Sequence, residues 1–220
     1  MNVLLEIWNY FIMLTPQIID ALFVTLKLFF ITLVLSIPLG LLVATAKLSK
    51  LSVVNKIASL YILILRGTPL LLQIVFVFFG LSTVGIIFDR FTAAIITFTL
   101  NYSAYFGEIF RAGITSINKG QWEAGVVLGL SKTTTFFKII LPQAFKIVLP
   151  PIGNEVVTLV KDTALVYIIG LDELIKVGKN AVNRDGTLLP LIFIGLIFIF
   201  LTWIFTKCIT KLESKYDYYR

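Results

Sequence analysis

Five long apolar stretches, separated by charged and turn-forming residues, dominate the chain. They cover residues 28–46, 57–88, 91–114, 142–160 and 188–206. The hydrocarbon core of a bilayer is about 30 Å thick and is crossed by about 20 mostly apolar helical residues. Each stretch is long enough for one crossing, so the pattern predicts five transmembrane helices.

The first 20 residues are also apolar, but Glu6, Pro16 and Asp20 interrupt them. This pattern favours a helix that lies at the membrane interface and leads into the first span. A basic amino-terminal region and a small-residue cleavage site are both missing, so we expect no signal peptide. The sequence predicts an all-α membrane protein with five transmembrane helices plus a short N-terminal interfacial helix, in which residues 1–220 form a single transmembrane domain.

Composition also indicates a membrane protein. Hydrophobic residues make up 58% of the chain and charged residues 14%, whereas average soluble domains contain about 25% charged residues. The single cysteine, Cys208, excludes a disulfide framework, and the absence of histidine argues against a histidine-rich metal site. We therefore expect no metal site. The net charge of +7 is compatible with a nucleic-acid partner only if it is concentrated in one place.

The charges are instead divided according to the predicted topology. Five spans create two alternating sets of connections, one with twelve basic and three acidic residues and the other with six basic and seven acidic residues. Basic connections face the cytoplasm, so the amino terminus is predicted outside and the carboxyl terminus inside. Because the positive charge is divided over three inner connections, a nucleic-acid binder is disfavoured.

The inner connection of residues 115–141 is long enough to contain structure of its own. Trp122, Val126, Val127 and Leu130 recur at helical spacing, which predicts an amphipathic helix. Composition alone favours a helix on the lipid surface, because three lysines surround it.

The spacing within this connection resembles the EAA loop of ABC importer permeases, E-A-A-x3-G-x9-I-x-L-P. The matching residues are Glu123, Ala124, Gly129, Ile139, Leu141 and Pro142. Gly125 replaces the second alanine, at a cost of about 0.8 to 1 kcal/mol in a helix, although its small size still allows close packing. The resemblance implies a cytoplasmic helix-turn-helix that docks into a groove of the ATP-hydrolysing subunit.

Further stretches resemble the polar amino acid (His/Glu/Gln/Arg/opine) branch of these permeases. They are residues 66–73, 101–105 followed by Glu108 and Arg111, 120–121 and 161–163. The resemblance covers residues 22–212. It implies a type I ABC importer (MetI-like) permease fold in a bacterial plasma membrane. It also implies a second permease copy or paralogue, two ATPase subunits and an extracytoplasmic substrate-binding protein.

The energy source is expected on another chain. The phosphate-binding motif G-x4-G-K-[ST] is missing, and residues 129–133 only partly imitate it. We therefore expect ATP and Mg²⁺ to be bound by the partner ATPase, and neither a cofactor nor an enzymatic activity in this chain.

Polar residues within the third predicted span are candidates for the substrate route. Asn101, Tyr105 and Glu108 share one helical face. A charge at the centre of a membrane helix costs about 2.5 to 3.5 kcal/mol on insertion scales, which indicates function. The alternative is a structural pair between Glu108 and Arg111, three residues further on.

A second candidate is the interruption at Arg66, Gly67 and Thr68, directly before Pro69. Broken membrane helices often line transport sites, and an arginine there suits a substrate carboxylate. A structural pair of Arg66 with an acid is the alternative.

The third candidate is Glu155, which follows Pro150, Pro151 and Gly153 in a span that these residues are expected to disrupt locally. It lies about 20 Å along the helix from the inner end of the span. A carboxylate at this depth suits a cationic cargo, whereas solvation or pairing with Lys161 are the alternatives.

Lys161 and Asp162 resemble a motif of the family, and we expect them to shape the outer gate. The prediction is a permease subunit that moves a basic amino acid (Arg, Lys or His) or cystine by alternating access, with polar amino acids such as glutamine as the second choice. One alternative is a secondary transporter or channel with Glu108 and Glu155 as ion sites, against which the EAA spacing argues. A membrane scaffold without transport is another.

Overall fold

The computed structural model describes residues 2–216, with side chains from residue 5 onward. Asp217 and Arg220, two of the residues in the charge count, lie outside this range. All regular elements within it are helical. The α-helices are α1 (Asn2–Lys47), α2 (Ser52–Gly67), α3 (Leu70–Val75), α4 (Arg90–Thr115), α5 (Lys119–Val127), α6 (Lys132–Thr135), α7 (Leu141–Asp162), α8 (Leu174–Asp185) and α9 (Leu189–Lys215). Short π and 3-10 segments are Phe76–Gly80, Leu81–Val84, Phe136–Ile140 and Thr163–Ile169.

At its amino end the chain differs from the sequence prediction. The expected interfacial helix is not separate, because α1 runs without a break from Asn2 to Lys47. Leu14, Ile18 and Ala21 are buried on one stripe of this helix, so packing extends the helical conformation well before the predicted start of the span. Pro16 lies inside the helix, as membrane helices tolerate.

Within residues 2–216, three helical stretches are long and apolar enough to cross a membrane: Leu5–Lys47, Lys132–Ile169 and Leu189–Lys215. The bent pair Ser52–Gly67 and Leu70–Val84 provides a fourth candidate span. Helix α4 has 26 residues and is long enough to cross a membrane. Its polar residues make it less apolar than these candidate spans. The all-α membrane fold is thus established, while the count of five spans stays a prediction.

The predicted interruption after α2 is present. Thr68 and Pro69 have extended backbone conformations, and α3 begins only at Leu70. The Thr68 N–H donates to the carbonyl of Ile64 over 3.1 Å, and its hydroxyl donates to the same oxygen over 2.7 Å. A residue before proline avoids the helical conformation, so the sequence itself ends α2 here.

Residue contacts divide the chain into two compact units. Unit 1 consists of residues 1–33, 69–98 and 157–205, and unit 2 of residues 34–68, 99–156 and 206–220. In unit 1, the rings of Phe29 and Phe205 pack with centroids 4.6 Å apart. That residues 1–220 form a single transmembrane domain stays a prediction.

In unit 2, glycines allow helices to approach closely. A Cβ atom on Gly40 would lie 2.7 Å from Phe106 Cβ, and one on Gly113 would lie 2.1 Å from Val148 Cγ1. Small residues at such crossings let the backbones of membrane helices pack together.

Helix α7 corrects another expectation, since Pro150 and Pro151 lie inside a continuous α-helix. Gly153 does not disrupt it either. This glycine is buried, and a Cβ atom there would lie 2.4 Å from Cγ2 of Ile209 on α9. Proline already has a helical φ, and the close approach of α9 explains why position 153 carries no side chain.

Candidate functional site

The predicted coupling loop has the expected helix-turn-helix form. Helix α5 begins after Asn118, whose side-chain oxygen accepts a hydrogen bond from the Gly120 N–H over 2.8 Å. Helix α6 begins after Ser131, whose hydroxyl oxygen accepts from the Thr134 N–H over 3.1 Å. Asparagine and serine are favoured N-cap residues because they satisfy free N–H groups.

The turn between these helices depends on Gly129, which has a φ of 68°. The N–H of Leu130 donates to the carbonyl of Gly125 over 2.9 Å, and that of Gly129 donates to the carbonyl of Val126 over 2.9 Å. Glycine adopts this left-handed conformation without steric cost, so the glycine of the EAA pattern ends α5.

Gly125, the departure from the EAA pattern, lies at a close contact within the loop. It is buried, and a Cβ atom there would lie 2.5 Å from Oγ1 and 2.7 Å from Cγ2 of Thr135. Thr135 is itself buried, and its hydroxyl donates to the Ser131 carbonyl over 3.0 Å. Glycine at 125 and threonine at 135 therefore form a matched pair, which the sequence analysis missed.

The second half of α5 and its C-cap, Leu128, are largely exposed. Val126, Val127 and Leu128 are 70%, 86% and 72% exposed, and Glu123 and Ala124 are exposed as well. We call these five residues the docking face. A helix is present at the predicted position, but its predicted amphipathic pattern is wrong: α5 ends at Val127, and Val126 and Val127 are exposed instead of packing with Trp122 on one apolar face.

Trp122 is the apolar residue of α5 that packs inward. Its ring stacks on Phe136 with centroids 6.3 Å apart, beside a cluster formed by Ile117, Ile140 and Ala144. Ile139 of the EAA pattern also packs against this cluster. Trp122 and Ile139 thus anchor the loop to this apolar cluster, while the docking face stays exposed.

The end of the EAA pattern continues directly into α7. The π segment Phe136–Ile140 is followed without interruption by Leu141 and Pro142. Both residues are exposed. Helix α6, the π segment and α7 therefore form one continuous run of helical backbone.

The polar face of α4 binds the end of α2. The Asn101 side-chain amide donates to the carbonyl of Leu65 over 2.8 Å. The Tyr61 hydroxyl donates to the carbonyl of Leu100 over 2.8 Å and lies 2.7 Å from the Ser103 hydroxyl. Asn101 and Ser103 are buried, so these contacts provide partners that a buried polar group needs.

Arg66, at the last turn of α2, lies against the same face. Its guanidinium carbon is 4.9 Å from the centre of the Tyr105 ring, within the range of a cation–π interaction. Arg66 is exposed, and Gly67 beside it has no neighbouring atom within 4 Å of an added Cβ position. The structure thus groups Arg66, Gly67 and Thr68 with Asn101 and Tyr105.

Glu108 is paired with Arg111, one of the two alternatives from the sequence. Arg111 Nε donates to Glu108 Oε2 over 2.9 Å, and Nη2 donates to Oε1 over 2.5 Å. Both side chains are about one quarter exposed, at 27% and 28%. This bidentate geometry holds the carboxylate in a fixed orientation.

The remaining predicted residues lie along α7. Glu155 is half-buried and belongs to unit 2, whereas exposed Lys161 and half-buried Asp162 belong to unit 1. Within residues 2–216, no group of three or more His, Cys, Asp or Glu side chains is placed to bind a metal ion.

Sequence reasoning missed several residues that shape these sites. Tyr61 and Thr135 carry no motif, and their roles arise from contacts with residues 42 and 10 positions away in the chain. The carbonyl of Leu65 is equally invisible in a sequence. The indirect indication of this contact was Asn101, a polar residue whose spacing placed it on the same helical face as Tyr105 and Glu108.

Known proteins match this chain over nearly its full length. A family model described as "Binding-protein-dependent transport system inner membrane component" matches residues 36–216. The arginine transport system permease protein ArtQ of Bacillus subtilis (strain 168) is 40% identical over 202 residues, which cover 91% of this chain and 92% of ArtQ. The L-cystine transport system permease protein TcyB of the same organism is 36% identical over 189 residues, which cover 86% of this chain and 80% of TcyB.

Solved structures agree. The crystal structure of an amino acid ABC transporter with histidines matches with a TM-score of 0.88 and 34% identity, covering 96% of this chain and 97% of that chain. An inward-facing structure of the MetNI methionine ABC transporter matches in fold, with a TM-score of 0.71, 18% identity and coverage of 93% and 96%. These likenesses confirm the predicted MetI-like fold, and the chain belongs to the family of inner membrane components of binding-protein-dependent transport systems.

Proposed function

We propose that this chain is the permease subunit of an ATP-driven amino acid importer that moves a basic amino acid or cystine. The relatives named for arginine and cystine transport support an amino acid as the cargo. ATP and Mg²⁺ bind to two separate ATPase subunits, and this chain contributes the translocation pathway. A second permease copy or paralogue completes the pathway, and an extracytoplasmic binding protein delivers the cargo.

The observation that carries this proposal is the docking face of α5. Three neighbouring apolar side chains stand in solvent beside the carboxylate of Glu123. Exposed apolar residues grouped in this way are typical of a surface that a partner covers. Closure of the ATPase would push on α5, and the continuous backbone from α6 through α7 would carry the movement into the membrane.

The cargo route is proposed to use both charged ends of an amino acid. Arg66 suits the α-carboxylate, because it is exposed and already oriented by the Tyr105 ring. Glu155 suits a cationic group, because its carboxylate is half-buried within a membrane helix. Gly67, Thr68, Asn101, Tyr105 and Glu108 complete the route, and Lys161 with Asp162 shape its outer gate.

The proposed orientation places the amino terminus outside and the carboxyl terminus in the cytoplasm. It rests on the excess of lysine and arginine in one set of connections. In this orientation the docking face lies on the side where ATP is available.

An uptake assay tests the cargo. The chain, its ATPase and its binding protein are reconstituted in liposomes, and ATP-driven uptake of labelled arginine, cystine and glutamine is measured. We expect Glu155→Gln to reduce arginine uptake about tenfold while glutamine uptake changes less, because one charge-assisted contact worth about 1.5 kcal/mol or more is lost.

Glu213→Gln is the matched control, since it changes a half-buried carboxylate outside the proposed route. Equal losses for arginine and glutamine in Glu155→Gln would disprove the specificity role. ATP-independent uptake driven by an ion gradient would instead favour a secondary transporter.

A further inference from the structure

A groove lies beside the coupling loop, in unit 2, next to Gln121 of α5. Its volume is about 920 Å³, at the upper end of the roughly 300 to 1,000 Å³ of small-molecule sites. It is lined by the π segment before α7, by the first turns of α7, by Ile117 and Gln121, and by Tyr216, which follows α9. It is therefore built from the inner ends of membrane helices and not from the coupling helix alone.

The charged side chains that line this groove among the described residues are lysines. Lys138 and Lys146 lie there together with the amides of Gln121 and Gln143, and none of the lining residues within 2–216 is acidic. Lys138 lies in the π segment Phe136–Ile140. Such π-bulges occur frequently at functional sites.

The rest of the groove is apolar and continues along the membrane helix. Phe145 and Ile147 are 40% and 45% exposed, although both line the groove. The Phe145 ring contacts Tyr216 edge-on, with centroids 5.2 Å apart. Aromatic residues with a polar tip are enriched at the level of lipid headgroups.

We propose that this groove binds an anionic phospholipid, with its phosphate at Lys138 and Lys146 and an acyl chain along Phe145 and Ile147. Basic pockets between membrane helices bind anionic headgroups in this way. A free anion would use the lysines but not the apolar wall, and an apolar peptide would use the wall but not the lysines. A phospholipid carries an anionic headgroup and an apolar chain, so it uses both. This inference is independent of the cargo and of the ATPase.

Native mass spectrometry tests the proposal on the purified full chain in detergent micelles. Dioleoyl phosphatidylglycerol is titrated into the micelles, and the retained lipid is counted. We expect retention to fall about fivefold in each of Lys138→Gln and Lys146→Gln, from the loss of one lysine near an anionic headgroup. Dioleoyl phosphatidylcholine should bind weakly to all variants.

Lys132→Gln is the matched control, because Lys132 is an exposed lysine of the same connection that does not line the groove. Circular dichroism confirms that each variant is folded. Phe145→Gln tests the apolar wall of the groove. This variant should retain less lipid but bind inorganic phosphate as well as the wild type does.

Three results would overturn the proposal. Equal retention of phosphatidylglycerol by Lys132→Gln and Lys138→Gln would show that the groove lysines are not special. Inorganic phosphate that competes fully with the lipid would show an anion site without a lipid component. A change in oligomeric mass without a change in bound lipid would identify a second copy of this chain as the occupant.

Discussion

The short helices α5 and α8 are both capped at their amino ends, but they have opposite relations to the rest of the chain. Helix α8 buries Leu174, Gly178 and Ala181, and its N-cap carboxylate, Glu173, is completely buried. Helix α5 buries Gly125 and leaves the carboxylate of Glu123 exposed. Helix α8 therefore belongs to the core of its own unit, whereas most of the side chains of α5 are exposed. This difference in burial is what the proposed docking of a partner on α5 requires.

The N-cap of α8 explains why a buried carboxylate is tolerated. The two oxygens of Glu173 accept hydrogen bonds from the N–H groups of Ile175 and Lys176, both over 2.7 Å. Burial nevertheless raises the pKa of Glu173 to about 7, against the hydrogen bonds and the nearby Lys176 charge that lower it. The same residue type in α5 needs no such arrangement, because it stands in solvent.

The largest expected effect on stability comes from removing this cap. Glu173→Ala leaves two partly buried N–H groups without an acceptor, and we expect the free energy of unfolding to fall by about 3 kcal/mol. Thermal unfolding in detergent measures the loss. Lys119→Ala in the first turn of α5 is the control and should change stability little. Equal losses in the two helices would remove the distinction between them.

The second prediction concerns pH. The folded-state pKa of Glu173 is raised from 4.5 to about 7, so the folded protein binds this proton more tightly than the unfolded chain. Its stabilising contribution is complete below about pH 4.5 and is lost as the pH rises through 7, at roughly 1.4 kcal/mol for each unit of difference.

Unfolding midpoints between pH 4.5 and 8 should therefore decline in the wild type and flatten in Glu173→Gln, which cannot ionise. A decline of the same size in both proteins would assign the pH dependence to other groups.

The third prediction concerns the packing within the coupling loop. Gly125→Ala restores the alanine of the EAA pattern but places a methyl group against Thr135, and we expect a cost of about 1 to 3 kcal/mol from overpacking. Thr135→Ala in the same chain removes the two closest atoms and should recover most of the loss. Gly120→Ala serves as the control in the same helix. Failure of the double variant to recover would show that Thr135 is not the constraint.

Much of this architecture was predictable because it depends on local chemistry. Residues 66–69 predicted the end of α2, since a residue before proline leaves the helical region. The resemblance of residues 123–142 to the EAA loop implied the helix-turn-helix, and Gly129 occupies a left-handed position in its turn. These signals lie within the segments that they shape.

What could not be predicted depends on contacts distant in the chain. Continuous helix through Pro16 and through Pro150 and Pro151 depends on packing that a proline-based interpretation ignores. The outward direction of Val126 is equally invisible, because periodicity identifies an apolar face but not what covers it. The roles of Glu155 and Arg66 in binding the substrate likewise depend on residues distant in the chain, and these roles stay predictions.

The central claim is that α5 is the surface through which a separate ATPase drives this permease. Glu123→Lys tests it most directly, by co-purification of the ATPase subunit and by ATP-driven uptake in liposomes. Reversal of an exposed charge should leave the unfolding midpoint unchanged but reduce association and uptake about tenfold or more, whereas Lys132→Glu on α6 should retain both. Wild-type association and uptake in Glu123→Lys would contradict the account.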